Sequence, residues 1–501
     1  MKASFKTMWL LSLGILMVVA AGCNDTLRQF IVPVPSPSGD PGALAHAITL
    51  STNPVTDAPG SDMHIDVSGD SSVGIVPLGV NPVFLGKTSN RVFIIDKGNA
   101  AIPPTVSAYI ALLPTSTVST VTLPSTGVDA ALNPVAGTTS SSGNIYIANF
   151  DSHNVSVISG SVVAVTTTIP LPAGDTHPVM IAGNAANNKI FVVNQGSANV
   201  TEISTIDNTV IKDITVGSQP IWAVMSTDGL FVFVVNQGDG TVSVIDTSLD
   251  IVLPCAPGPS CIGGNAIKVG TTATPSPNFA FYDPKLKRVY VSNTGEPSVT
   301  VIKGNGFDLG SNPQVLPAKI ADISPLSGLP TSITALSDGT KAYAALGNCP
   351  AGVNHLTLPD PASASNASHC SGNLVSVIDV VGLRETGTIP VGAGAISVDA
   401  SSDASRVFAI SANDITTVRD DVVPGALPDR TFPTPSISII RTTTNSVLAT
   451  PVDPSIVNRP LPTFHVPQQD PGCVPTIDPS FNSHVPLPCP LQTPFMVRTF
   501  P

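Results

Sequence analysis

Three polar residues, Asn81, His177 and Gln219, occupy the same place in a recurring pattern and are the first candidates for chemistry. Each precedes a Pro and an apolar segment, in "NPVFLG", "HPVMIAG" and "QPIWAVM". Imidazole and carboxamide groups donate and accept hydrogen bonds, and imidazole titrates near neutral pH. We therefore predict ligand contacts at these positions, with solvated loop residues as the alternative. His153, in "FDSHNVSV", is predicted to serve a turn only.

Six of the seven cysteines fall into local pairs that predict disulfides. The pairs are Cys255 with Cys261, Cys349 with Cys370, and Cys473 with Cys489. Each lies in a Pro- or Ser-rich insertion, which suits bridges that tie loops in an oxidising compartment, although other connectivities are open. A metal site is the alternative, because His355, His369 and His484 lie near these cysteines. Their spacing matches no zinc pattern, so no metal is predicted.

An internal repeat must position these residues. "IFVVNQGSANVTEI" at 190–203 returns as "VFVVNQGDGTVSVI" at 232–245. Each copy reads as an apolar strand ending in Asn, a hairpin, and an alternating strand expected nearer solvent. The apolar strand recurs seven times, ending at Asp96, Asn149, Asn194, Asn236, Asn293, Leu346 and Ser411. A Pro-led strand before it and a fourth strand after it complete a four-stranded antiparallel unit, which is typical of a propeller blade.

The pattern resembles the YVTN-type repeat family over residues 72–450. This resemblance implies an all-β, seven-bladed β-propeller, predicted here over residues 66–452, and it leaves function open. Segments 72–79 and 446–450 compete to close the ring. The Pro-rich tail, 453–501, is predicted to be an irregular strap tied by Cys473 and Cys489, because Pro at this density excludes central strands.

The first residues predict export and a lipid anchor. Lys2 and Lys6 precede an apolar run, and "AAGC" ends at Cys23, which is typical of a signal peptide over residues 1–22. The segment resembles a bacterial lipoprotein signal, which implies lipidation of Cys23; an ordinary secretory signal is the alternative. Residues 23–65 then form a lipidated linker, rich in Pro, Ser and Gly. Asn24 after the cysteine favours the outer membrane or the cell surface.

Charge and missing motifs exclude several functions. The chain has 34 Asp and Glu against 22 Lys and Arg, a net charge of −12, whereas nucleic-acid affinity depends on cations that neutralise phosphates. It has no CxxCH, GxSxG, HExxH or P-loop motif, which argues against covalent haem, common hydrolases and nucleotide binding. Trp occurs only at Trp9 and Trp222. The Trp-rich docking motifs of quinoprotein dehydrogenases are therefore missing.

These observations predict a monomeric, non-catalytic binding scaffold in the cell envelope. The membrane is its partner through the lipid anchor, and an unknown protein, polysaccharide or small molecule is its ligand. No cofactor is predicted. The alternative is an enzyme, either lactonase-like or redox, acting at the mouth of the central channel. Two or more carboxylates and a His converging there would favour the enzyme.

Three lengthened hairpins predict the functional face. The connections between the second and third strands are long at 97–105, 347–374 and 412–436, in the first, sixth and seventh units. The last contains Asp420 and Asp421, which could bind Ca²⁺ but are more simply solvated. In a ring of seven these units are neighbours. The sequence therefore predicts one continuous wall on the face that carries Asn81, His177 and Gln219.

Overall fold

The chain is described by a computed structural model. It describes residues 46–52, 59–67, 71–87, 91–110, 117–123, 132–348, 371–411, 415–418, 430–433, 436–448, 464–465 and 493–500. The predicted signal peptide, Cys23, the pairs Cys349–Cys370 and Cys473–Cys489, and Asp420 and Asp421 lie outside these ranges. Within them, no helix is long and apolar enough to cross a membrane.

Eight antiparallel sheets form the blades of a β-propeller, one more than predicted. Blade 1 contains β1 (His46–Thr52), β2 (Pro59–Asp66) and β3 (Ser71–Val80). Blade 2 contains β4 (Pro82–Lys87), β5 (Arg91–Asp96), β6 (Thr105–Ile110) and β7 (Ser119–Thr122). Blade 3 contains β8 (Pro134–Thr139), β9 (Ile145–Asn149), β10 (Asn154–Ser159) and β11 (Ala164–Pro170). Blade 4 contains β12 (Pro178–Ala182), β13 (Lys189–Asn194), β14 (Asn199–Ser204) and β15 (Thr209–Thr215).

The next four blades carry the insertions. Blade 5 contains β16 (Pro220–Met225), β17 (Phe231–Asn236), β18 (Thr241–Asp246), β19 (Ile251–Val252), β20 (Cys261–Ile262) and β21 (Ala266–Lys268). Blade 6 contains β22 (Pro277–Asp283), β23 (Arg288–Asn293), β24 (Ser298–Lys303) and β25 (Lys319–Ile323). Blade 7 contains β26 (Ser332–Ala335), β27 (Lys341–Leu346), β28 (Leu374–Asp379) and β29 (Arg384–Pro390). Blade 8 contains β30 (Ala395–Ala400), β31 (Arg406–Ser411), β34 (Ser436–Arg441), β35 (Ser446–Val447) and β36 (Phe464–His465), with β32 (Ile415–Val418) and β33 (Arg430–Pro433) as a separate hairpin.

The ring is closed by a strand from the predicted strap. β37 (Thr493–Phe500) pairs with β1 and is the innermost strand of blade 1. Segment 72–79 lies in β3, the outermost strand of blade 1, and β35 is a fourth strand of blade 8, so neither predicted segment closes the ring. The Pro-density argument fails here because Pro494 lies near the start of its strand, as Pro82 does in β4.

The propeller has two unlike faces. In blades 2 to 8 the innermost strand comes first and the chain continues outward by antiparallel hairpins, whereas in blade 1 the innermost strand is β37. We call the face where the inner strands begin the upper face. It also carries the connections between blades and those between second and third strands. The lower face is where the inner strands end, with the hairpins between first and second strands and the turns between third and fourth strands.

Buried amides link the middle strands of blades 3 to 6. Asn194 at the end of β13 donates from Nδ2 to Asn199 Oδ1 at 2.9 Å and Thr201 Oγ1 at 2.8 Å. Asn149, Asn236 and Asn293 make equivalent bonds to polar groups five and seven residues later. The third strands were predicted nearer solvent, but their alternating hydroxyls are buried. They alternate because they bond these amides.

Basic residues at the start of the second strands join neighbouring blades on the lower face. Lys189 Nζ donates to Thr247 O at 2.9 Å and forms ion pairs with Asp250 at 2.5 Å and with buried Glu202 at 2.6 Å. Equivalent bonds to main-chain carbonyls run from Arg91 to Gly160, from Arg288 to Val380 and from Lys341 to Thr442. The recurring basic residue therefore stabilises the ring.

The predicted wall of hairpins is interrupted. The hairpin after β5 and the long insertions after β27 and β31 leave from the upper face, as expected from topology. They belong to blades 2, 7 and 8, and blade 1 stands between blades 8 and 2. The prediction of three neighbouring blades was wrong because blade 1, which stands between two of them, carries no repeat motif and was not predicted.

Candidate functional site

The central channel contains a cavity lined by residues of the inner strands. Its volume is about 380 Å³, near the lower end of the range usual for small-molecule sites. The inner strands run side by side, so equivalent positions on each of them face one space. Every inner strand contributes to the lining, through Phe84, Thr138, Met180, Trp222, Phe279, Ile333, Val398 and Arg498 among others.

The lining is mainly aromatic and aliphatic. Trp222 and Phe279 lie with ring centroids 4.8 Å apart, and the Trp222 indole donates from Nε1 to Ala280 O at 3.1 Å. That hydrogen bond uses the polar atom of Trp222 and fixes the ring, leaving its apolar surface toward the cavity. The wall is therefore preorganised for an apolar group.

Charged groups gather where the inner strands end. Asp399 and Arg498 line the main cavity, and Lys87 and Arg498 line an adjoining cavity of about 240 Å³. Lys87 is exposed, yet neighbouring protein atoms desolvate its ammonium and lower its pKa, while Asp399 acts in the opposite direction. Among the described residues that line the two cavities, the cations outnumber the carboxylates by two to one, and Asp228 and Asp283 lie near Tyr282 of the same wall. The two cations at this lower mouth are suited to hold an anionic group.

Tyr282 adds a phenol to the cavity wall. Burial raises its pKa to about 12, and the nearby carboxylates of Asp228 and Asp283 act in the same direction. The hydroxyl is therefore protonated at neutral pH and can donate a hydrogen bond. With Thr138 it supplies neutral polar contacts beside the charged groups.

The predicted residues Asn81, His177 and Gln219 lie at the upper ends of inner strands, outside the cavity lining. All three have left-handed backbones, with φ of 53°, 57° and 47°. Their carbonyls accept hydrogen bonds from the residues that follow the second strands, at 2.8, 3.0 and 3.0 Å. Asn133 and Ser276 do the same in blades 3 and 6. Their recurrence is thus explained by backbone geometry.

His177 nevertheless has neighbours that the sequence did not reveal. Its exposed ring lies with its centroid 4.6 Å from that of Phe150 and 5.4 Å from that of His153. His153 occupies a turn with φ of 48°, in agreement with its predicted role. Among the described residues, no group of three or more His, Cys, Asp or Glu is placed to hold a metal.

One predicted cysteine pair lies within the described residues. Cys255 and Cys261 are joined by a disulfide with Cα atoms 5.6 Å apart, in the insertion of blade 5. This insertion is on the outer side of the propeller, where β20 and β21 extend the sheet. The disulfide restrains a loop and takes no part in the channel.

A second cluster of ionisable groups is sealed between blades 1 and 2. The Tyr109 hydroxyl donates to Asp62 Oδ2, and His64 Nε2 lies 2.8 Å from the Tyr109 oxygen. Burial raises the pKa of Asp62 to about 8, against the effect of the Tyr109 hydrogen bond. These three side chains are 0 to 2% exposed, so no substrate reaches them in this conformation. We call Asp62, His64, Tyr109 and the neighbouring Asp96 the seam cluster.

Sequence reasoning missed Lys87, Asp399 and Arg498. Each is the fifth or sixth residue of an inner strand, toward the lower face. Register counting from the Pro would have placed Lys87 at the channel. It could not have placed Arg498, because "TPFMVRTF" had not been assigned to a blade.

Comparisons with known proteins support the fold. No family model and no curated protein matches the chain, so the resemblance to YVTN-type repeats stays a prediction. Among solved structures, the dihydro-heme d1 dehydrogenase NirN in complex with DHE has a TM-score of 0.55 at 11% identity, covering 83% of this chain and 74% of its own. The likeness is one of fold.

Two further solved propellers match less well. The periplasmic gluconolactonase PpgL of Pseudomonas aeruginosa has a TM-score of 0.47 at 11% identity, covering 69% of this chain and 95% of its own. Virginiamycin B lyase of Staphylococcus aureus has a TM-score of 0.41 at 13% identity, covering 60% and 95%. At these identities an activity does not transfer.

Proposed function

We propose that this protein is a cell-envelope lipoprotein that binds a small, largely apolar anion in the channel of its propeller. The observation that carries the proposal is the joining of an apolar cavity to a cationic mouth. Phe84, Trp222 and Phe279 offer an apolar wall, and Arg498 and Lys87 stand at its lower end. An aromatic or aliphatic carboxylate has matching chemistry at both ends.

The anchor is proposed from the signal that ends at Cys23. Lipidation would hold the propeller at a membrane, most simply the outer membrane or the cell surface. Metabolic labelling with palmitate is then expected to label the wild-type chain and not a Cys23→Ser chain. Absent labelling of the wild-type chain, or equal labelling of both chains, would contradict the anchor at Cys23.

An enzyme remains the second candidate because the fold neighbours NirN and PpgL are described as a dehydrogenase and a lactonase. Those neighbours are enzymes rather than scaffolds, which favours catalysis by fold analogy only. In this chain Asp399 would be the acid or base and Lys87 or Arg498 the electrostatic partner. The described lining has a single carboxylate, Asp399, and no His, which favours binding over catalysis.

Trp222 provides a direct test of binding. If the signal containing Trp9 is removed, Trp222 is the only Trp of the mature chain and it lies in the channel wall. Titration with aromatic and medium-chain carboxylates is expected to change its fluorescence. Arg498→Gln should weaken binding about 10- to 100-fold, the usual range for losing a charge-assisted hydrogen bond.

Arg384→Gln is the matched control, since Arg384 is a lower-face arginine whose side chain is 75% exposed. Equal affinities for Arg498→Gln and the unsubstituted chain would contradict the proposal. Mass spectrometry of the ligand after incubation separates the two functions. A ligand recovered unchanged supports binding, and a modified ligand whose formation is lost in Asp399→Asn supports catalysis.

A further inference from the structure

Exposed apolar side chains concentrate on the lower face of the propeller. Four occupy turns between third and fourth strands: Val162, Ile206, Leu249 and Val381, which are 72%, 78%, 52% and 79% exposed. Such turns ordinarily carry Gly, Asn, Asp or Ser. Single exposed apolar residues need no explanation, but these recur at one structural position in blades 3, 4, 5 and 7.

Other exposed apolar residues extend this set. Ile110 ends β6 and Ile251 begins β19, both at the lower face, and Leu230 lies in the hairpin before β17. Ile211, Ile262 and Ile320 are the remaining exposed large apolar residues described, and they lie on outer strands. The lower face thus carries most of the exposed apolar groups.

Basic residues lie at the same level. Lys285 in the hairpin before β23 and Arg384 at the start of β29 are exposed, and Lys303 at the end of β24 is half-buried. Long basic side chains beside apolar groups suit the boundary between water and lipid, where the stem is buried and the charge stays with the headgroups. Acidic residues such as Asp207 and Asp379 are also present there, so charge alone does not select this face.

The chain enters the propeller at this face. β1 is the second strand of blade 1 and runs antiparallel to β37, which makes His46 the lower end of β1. Residues 24 to 45 separate it from Cys23, a segment that can reach no farther than about 75 Å. A lipid anchor at Cys23 would therefore connect to the propeller at its lower face.

We propose that the lower face lies against the bilayer surface and inserts its apolar turn residues at the interface. The inference rests on the proposed lipid anchor for its direction, while the apolar turns are a separate feature of the fold. A shallow contact by several apolar side chains adds to an acyl anchor, because stable attachment ordinarily takes more than one signal. The charged mouth of the channel then opens toward the lipid surface.

The test uses the mature chain, residues 23–501 with Cys23→Ser, so that neither the signal peptide nor a lipid contributes to binding. Co-sedimentation with vesicles of phosphatidylethanolamine and phosphatidylglycerol is expected. Val162→Asp, Ile206→Asp, Leu249→Asp and Val381→Asp together should lower the partition coefficient at least about tenfold, since each places a carboxylate at the interface. The matched control, Ile211→Asp with Ile262→Asp, changes exposed isoleucines on outer strands and should leave it unchanged.

Each other outcome contradicts the proposal in a recognisable way. No sedimentation of the Cys23→Ser chain, or equal losses in both variants, would exclude a specific membrane-facing surface. A dimer in the absence of vesicles that the four substitutions dissociate would assign the turns to a second copy of the chain. Failure of the anchor is read separately, from whether wild-type protein made in cells carries lipid on Cys23.

Discussion

In blades 3 to 6 the buried polar group that ends the second strand is a carboxamide, whereas the seam cluster between blades 1 and 2 holds carboxyl groups. Asn236 donates to hydroxyls of Thr241 and Ser243, each at 3.0 Å. Asp96 takes the same place in blade 2 and accepts from Thr105 at 3.1 Å and Ser107 at 2.8 Å. The pairing across the hairpin is shared, whereas the donor direction, the ionisable group and the length of the hairpin differ.

This difference gives the two regions unlike responses to pH. Burial raises the pKa of Asp96 to about 7 and that of Asp62 to about 8, so the folded chain holds protons that the unfolded chain releases near pH 4. Folding stability contributed by these groups is therefore present at low pH and declines as pH rises from about 4 to 8. The slope is at most ~1.4 kcal/mol per pH unit for each group. Carboxamides contribute no such slope.

The largest effect is expected from disrupting the innermost strand of blade 1, which closes the ring. Met496 of β37 is fully buried, so Met496→Asp places a charge in the closing blade and should lower the free energy of unfolding by at least ~4 kcal/mol. Thermal unfolding followed by calorimetry measures it. Val381→Asp, at a residue that is 79% exposed, is the control. A Met496→Asp protein that melts like the control would show that β37 is dispensable.

The next largest effect is expected from placing a buried carboxyl group in one of blades 3 to 6, as in the seam cluster. Asn236→Asp buries a carboxyl group and should destabilise the fold by about 2–3 kcal/mol near pH 8, with a smaller loss near pH 5 where the group is protonated. Denaturant unfolding at the two pH values provides the measurement. Asn265→Asp, on the exposed insertion of blade 5, should change little at either pH. A loss independent of pH would refute the electrostatic explanation.

The reverse substitution replaces the buried carboxyl group of Asp96 with a carboxamide, as in blades 3 to 6. Asp96→Asn should raise the stability by about 1–2 kcal/mol near pH 8 and leave it almost unchanged near pH 4, because the penalty for ionising a buried carboxyl is removed. The same unfolding experiments test this. Stabilisation that is equal at both pH values would mean that packing or hydrogen bonding, and not ionisation, distinguishes Asp96 from Asn236.

The smallest effect is expected at the disulfide of blade 5, far from the seam cluster. Cys255→Ser with Cys261→Ser removes a bridge that closes a very short loop, so the expected loss is no more than ~2 kcal/mol and does not depend on pH between 5 and 8. Melting temperature and trypsin sensitivity around the insertion of blade 5 measure it. Loss of the whole β-sheet signal in this variant would make the disulfide essential to the fold, contrary to expectation.

The sequence predicted the propeller because the repeat consists of residues at short, fixed distances along the chain. Asn194 and Asn236 are followed at fixed distances by their hydroxyl partners, and each apolar strand by its hairpin. Blade 1, the additional blade, could not be predicted in this way. Asp62 and His64 replace the repeat's polar pattern in β2, and β37 is joined to β1 only by pairing across the whole chain.

The candidate site was harder to predict for a related reason. Trp222 was visible in the sequence as a lone Trp, but its place in the channel follows from strand register and ring closure together. Asp399 and Arg498 come from blades 8 and 1, which meet only when the ring is complete. The residues that recur most clearly, Asn81, His177 and Gln219, share a left-handed backbone, and their role as ligand contacts stays a prediction.

Closure by β37 couples the lining of the channel to the pairing of the first and last described strands. β1, β2 and β3 are synthesised first, yet their inner edge stays uncovered until the other seven blades have followed. Arg498 arrives on the same strand that covers this edge, so cationic mouth and closed ring appear in a single step. A shortened chain would lose both at once and present an unpaired strand edge. Such a chain is expected to be more sensitive to proteolysis than one in which β37 is paired.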